Sequence, residues 1–86
     1  MPYTAVHIYR NVCLRNGISP AEMLNILKYI EENGEVPEPY RGRRCFTYTL
    51  KLNGVISQKI PSARPRRWAP GPMFNQFKQY LCSAGN

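Results

Sequence analysis

The chain has 86 residues, 43% of them apolar, with one Trp, six Tyr and three Phe, enough for one small folded domain and too apolar for a disordered tail. Its net charge of +7 points to a polyanionic partner: nucleic acid first, an anionic membrane or an acidic protein surface as rivals. Three widely spaced cysteines exclude a disulfide framework, and no apolar run approaches the ~18 residues of a membrane span.

The charge is unevenly distributed. All five carboxylates (Glu22, Glu31, Glu32, Glu35, Glu38) lie between residues 22 and 38, and residues 39–86 carry nine cations and no acid. The N-terminal stretch lacks the apolar region of a signal peptide, so the expected setting is reducing and cytoplasmic: a bacterial cytoplasm, or a host cell interior for a phage protein.

Residues 3–15 fit two periods. Val6, Ile8, Val12 and Leu14 share one parity, as in a strand, while Ala5, Ile8, Tyr9 and Val12 fit a helical stripe. The β-branched and aromatic residues of Tyr3–Tyr9 favour the strand. Residues 20–33 read as a helix. Ser19 is a good N-cap, Pro20 suits the first position, Glu22 completes a Ser-x-x-Glu capping box, and Ile18 can staple onto Met23. Met23, Leu24, Leu27 and Ile30 form its inner stripe, broadened by Ile26, and Asn33-Gly34 ends it. The two prolines of Glu35-Val-Pro-Glu-Pro-Tyr40 then predict an extended loop.

Residues 45–60 predict a β-hairpin. Phe46, Tyr48, Leu50 and Leu52 alternate with Cys45, Thr47, Thr49 and Lys51, and Asn53-Gly54 supplies the turn. A bulged turn pairs Leu52 with Ile56 and Tyr48 with Ile60, collecting the large apolar residues on one face. Residues 61–72, with four prolines and three arginines, read as an extended connector outside the core. Residues 73–82 read as a short amphipathic helix with Met73, Phe74, Phe77 and Leu81 inward. The expected fold is therefore a single α+β domain over residues 1–86: one amphipathic helix packed on an antiparallel sheet containing the 45–60 hairpin, plus a short C-terminal helix, with a Pro/Arg-rich extended segment at 61–72.

Two arginine clusters are the candidate binding elements. Arg41-Gly-Arg-Arg44 (Arg41, Arg43, Arg44) places guanidinium forks where phosphates match them, though a solvated turn reads equally well. In Ala63-Arg-Pro-Arg-Arg-Trp68, prolines hold Arg64, Arg66 and Arg67 extended, and Trp68 either stacks on a base or pins the connector to the core. Lys51 and Lys59 add cations on the hairpin, whose Thr47, Thr49, Lys51, Gln58 and Lys59 face otherwise reads as an ordinary solvated one. His7, Cys13, Cys45 and Cys82 lack the short spacing of structural zinc ligands, so no metal or other cofactor is expected. The single His has no acid near it in sequence, and Glu31 and Glu32 point apart on their helix, so no catalytic residue is assigned. The 20–33 helix is too acidic for a DNA recognition helix.

From Asn25 to Ile60 the order of features resembles RelE-type and HigB-type toxins. The carrying residues are Leu27-Lys-Tyr-Ile-Glu-Glu-Asn-Gly-Glu-Val-Pro-Glu-Pro-Tyr40, Phe46-Thr-Tyr-Thr-Leu50, Asn53-Gly54 and Val55–Ile60. The resemblance implies a helix and proline loop followed by strands, and messenger-RNA cleavage by basic and aromatic residues in place of His and Glu. The strand after the turn carries Ser57-Gln-Lys where such toxins carry arginine, and the Pro-rich arm has no counterpart. The leading expectation is a non-enzymatic regulator or inhibitor, of phage or mobile-element type, that binds RNA or DNA or the machinery that handles it. The resemblance gives the second expectation, a messenger-RNA endonuclease. A protein-only adaptor or anti-defence inhibitor docking the same basic face on an acidic partner is the third.

Overall fold

The computed structural model describes residues 3–59 and 67–84, with the side chains of Tyr3 and Arg44 left out. In chain order the elements are α1 (Tyr3–Val12), a 3-10 turn (Leu14–Asn16), α2 (Pro20–Asn33), α3 (Glu38–Arg41), α4 (Arg44–Leu52), β1 (Ile56–Gln58), β2 (Trp68–Pro70) and α5 (Phe74–Ala84). α5 packs on α1 and α2, α1 also meets α4, and the two strands close the far side through β2 against α2 and β1 against α4. The antiparallel sheet has the register Ile56↔Pro70, Ser57↔Ala69 and Gln58↔Trp68. The α+β class with a small antiparallel sheet and a C-terminal helix is as expected.

α2 forms as its sequence dictates. Ser19 Oγ accepts from the Glu22 N–H at 3.2 Å, Pro20 opens the helix, and Gly34 (φ 70°) closes it with its N–H on the Ile30 carbonyl. Met23, Ile26, Leu27 and Ile30 are buried, as is Ile18 before the cap. α5 likewise buries Phe74, Phe77 and Leu81, with Met73 packed beside them.

Several expectations are corrected. Residues 3–12 are a helix rather than a strand, because Ala5, Ile8 and Val12 must all face α4 and α5, and only a period near 3.6 brings them to one side. The first arm of the expected hairpin is the helix α4. Phe46 and Leu50, four residues apart, are fully buried, whereas Tyr48 and Leu52, which a strand would place on the same face, are 63% and 70% exposed. Asn53-Gly54 stops this helix instead of turning a hairpin. Asn53 keeps φ −86° while Gly54 takes φ 75°, and the bonds Gly54 N–H to Lys51 O (3.0 Å) and Val55 N–H to Leu50 O (2.9 Å) form a Schellman motif. The second arm is a strand, but its partner is β2. That makes residues 68–70, expected in the connector, part of the core sheet. The 35–40 loop is extended only to Pro37; Pro39 lies in the first turn of α3, where its missing N–H costs nothing.

Gly71 explains how the sheet is anchored to α4. A Cβ there would lie 2.4 Å from the Gly54 carbonyl oxygen, so only glycine allows the two chains to meet. The Gly71 N–H bonds Val55 O and the Met73 N–H bonds Gly54 O, each at 2.8 Å. Among the described residues, no helix is long and apolar enough to cross a membrane.

Candidate nucleic-acid interface

The predicted site residues fall into three environments. Around α3, Arg41 is spent on the loop: its Nε donates to Val36 O at 2.7 Å and its guanidinium lies 3.8 Å from the Glu35 carboxylate. Arg43 lies 5.0 Å over the ring of Tyr40, with Nη1 3.5 Å from Asn16 O. Tyr40 in turn packs 5.3 Å from the buried Phe46 ring, so a cation at the surface is stacked on the core through one aromatic. The Tyr40 hydroxyl donates to the Glu22 carboxylate. That bond, then burial and the Glu22 charge, push the Tyr40 pKa up, with Arg43 pulling against them. Glu22 therefore completes no reciprocal capping box. Arg44 is the first residue of α4, and Lys51 is exposed in its last turn.

The second environment is the C-terminal end of α2. Arg67 Nη1 donates to Asn33 O at 3.1 Å, a cation on the negative end of the helix. The flanking backbone is paired too: Lys59 N–H bonds Arg67 O at 2.9 Å and Trp68 N–H bonds Gly34 O at 2.8 Å. Lys59 and Arg67 share a depression with Glu31 and Glu32, and Glu31 pairs with Lys78 at 3.5 Å. The charge there is mixed. Arg64 and Arg66 lie outside the described residues. The third environment is the core: Trp68 is 7% exposed and belongs to the central cluster, so it pins the chain and is withdrawn from the binding set.

The two arginine clusters are thus not one surface. Arg43 lies near the start of the 14-residue α2 and Arg67 at its end, and such a helix is about 20 Å long.

Sequence reasoning missed the N-terminal contribution. Residues 1–21 contain no carboxylate either. Because α1 packs on α4, this acid-free stretch adjoins the acid-free α4. Arg10, Arg15 and Lys51 on these elements, and Arg43 just before α4, are all exposed. A groove of about 390 Å³ runs between the N-terminal elements and α4, with Asn11, Arg15 and Asn16 on one wall and Cys45, Thr49, Leu52 and Asn53 on the other. Asn16 and Asn53 each tie an amide N–H to a carbonyl four residues back, Val12 O and Thr49 O, both at 2.8 Å. Neither bond uses the amide oxygen. The signal was available in the sequence: the confinement of the acids to 22–38 leaves both flanks acid-free.

Among the described residues no three His, Cys, Asp or Glu side chains converge as metal ligands. Cys13 is buried, and burial pushes its thiol pKa from 9.0 up to about 12; Cys45 and Cys82 are exposed. The segment Phe46–Leu50, a strand in the toxin pattern, is helical. No protein-family model, curated protein or solved structure matches the chain.

Proposed function

We propose that this protein binds nucleic acid through the face built from α1, the 3-10 turn and α4. The observation that carries this reading is the packing of α1 on α4, which joins two acid-free stretches, leaves Arg10, Arg15, Arg43 and Lys51 exposed on or beside them, and sets Arg15 in the groove between them. The carboxylates sit elsewhere, on α2 and its exit, where Glu22, Glu31 and Glu35 engage Tyr40, Lys78 and Arg41. A polyanion approaching the α1–α4 face meets no carboxylate on α1, the turn or α4, Glu22 lying only at the Arg43 side through Tyr40, and arginine forks there suit phosphate oxygens. Binding of this kind releases counterions and weakens steeply with salt.

The test is a salt titration of affinity for a labelled mixed-sequence oligonucleotide. Changing Arg15 and Lys51 together to Ala should weaken binding and reduce the slope of log affinity on log salt by about 2. The pair Lys59→Ala with Arg67→Ala, in the mixed-charge depression, should do less. Absence of binding at low salt to RNA and DNA alike would overturn the proposal.

A further inference from the structure

Three of the four exposed large hydrophobic side chains among the described residues lie on the acid-free elements: Leu14 (60%), Tyr48 (63%) and Leu52 (70%). Leu14 opens the turn that carries Arg15 and Asn16. On α4, Tyr48 stands three residues before Lys51 and four before Leu52, the spacing that makes side chains neighbours on a helix surface. Leu52 also lines the groove beside Arg15 and Asn16. Lys51 on α4 and Arg15 in the groove therefore flank apolar and aromatic surface left in water.

A surface made only to hold a duplex has no use for that arrangement. A duplex turns phosphates outward and keeps its base faces stacked inside; reaching them costs unstacking. Nor does α4 suit the major groove, since its outward stripe of Cys45, Tyr48 and Leu52 offers none of the Arg, Asn or Gln forks that read base edges. An unpaired strand differs in that its base faces are available to aromatic side chains and its edges to amides. Both are present here, in Tyr48 and in Asn11, Asn16 and Asn53 of the groove.

We infer that the ligand of this face is single-stranded nucleic acid, its phosphates on Arg15, Arg43 and Lys51 and a base packed on Tyr48 and Leu52. The inference rests on the nucleic-acid reading above and narrows it. Charge complementarity supplies the grip, and the exposed aromatic supplies the preference for an unpaired strand.

The experiment measures binding of the full chain to three labelled probes of one mixed sequence, each about 16 nucleotides long, the upper site size of a small single-strand-binding fold: single-stranded RNA, single-stranded DNA and the DNA duplex. The better of the two single strands, whichever sugar it carries, should bind at least about tenfold more tightly than the duplex. Tyr48→Ala should weaken it by about 5- to 150-fold, the range for loss of one stacked base, with the salt slope unchanged. Tyr48→Phe should restore it. Tyr48 is exposed, so an unchanged melting temperature verifies that the variant folds. Duplex affinity equal to single-strand affinity, with Tyr48→Ala silent, would overturn this inference and leave the broader reading standing. Failure of all three probes, with or without binding of an acidic amphipathic peptide, would overturn both.

Discussion

Cys13 and Cys45 carry the same side chain into opposite environments. Cys13 is fully buried where α1 ends, and Cys45 is exposed on α4 beside the groove. The Cys13 thiol keeps its proton to about 12 in the folded chain. An unfolded thiol ionises near 9.0, so folding gains a contribution that is fully present below pH 9 and lost as pH rises from there through about 12. Thiolate, not thiol, is the reactive form. At pH 8 a chromogenic disulfide reagent should therefore titrate Cys45 and Cys82 promptly and Cys13 only after denaturant is added. Three prompt thiols would place Cys13 outside the core. Nothing in the sequence distinguishes the three, because burial is set by partners from other helices. Glu22 teaches the same lesson: its backbone N–H takes the capping bond, while its carboxylate goes to Tyr40, 18 residues away.

At the scale of elements, legibility followed the presence of local stop and start signals. α2 has a cap, a proline at its first position and a terminal glycine, and α5 has a clean inner stripe; both were readable. α1 and α4 were not, because each carries apolar residues compatible with periods of 2 and 3.6. In α4, Phe46, Tyr48, Leu50 and Leu52 alternate like a strand, and only the fold reveals that Phe46 and Leu50 pack inward while the other two stay in water. Asn-Gly compounded the ambiguity, since a left-handed glycine serves a hairpin turn and a helix stop alike. The candidate site inherited this error. Arg43 and Lys51 were named, but Arg15 and Tyr48 were missed, because Tyr48 stays in water and Leu52 joins Arg15 in one groove only when α4 is a helix against α1. Denaturant unfolding separates the two architectures. Phe46→Ala should cost about 3–5 kcal/mol, the usual penalty for emptying a buried aromatic site. Tyr48→Ala should stay within about 0.5 kcal/mol of the parent, as surface changes do. Comparable large losses at both positions would favour a hairpin with all four residues facing inward.

For the molecule as a whole, separating the charges has an energetic consequence. The chain carries +7, and its described ion pairs, Arg41–Glu35 and Lys78–Glu31, both involve acids of the 22–38 stretch. Both are partly exposed pairs, worth at most about 1 kcal/mol each. Folding meanwhile packs α1 on α4, and Arg10, Arg15 and Lys51 of these acid-free elements find no carboxylate on α1, the turn or α4 to offset them. Self-repulsion of this kind destabilises a compact state, and added salt screens it within a Debye length of about 10 Å at 0.1 M. The melting temperature should therefore rise with sodium chloride; relief of about 1 kcal/mol corresponds to roughly 4–8 °C in a domain of this size. Arg15→Gln should raise the melting temperature at low salt and flatten its dependence on salt, because it removes one of the repelling charges. A melting temperature that falls as salt is added would mean that the exposed ion pairs outweigh the repulsion. In that case the acid-free face would carry no electrostatic strain for a polyanion to relieve.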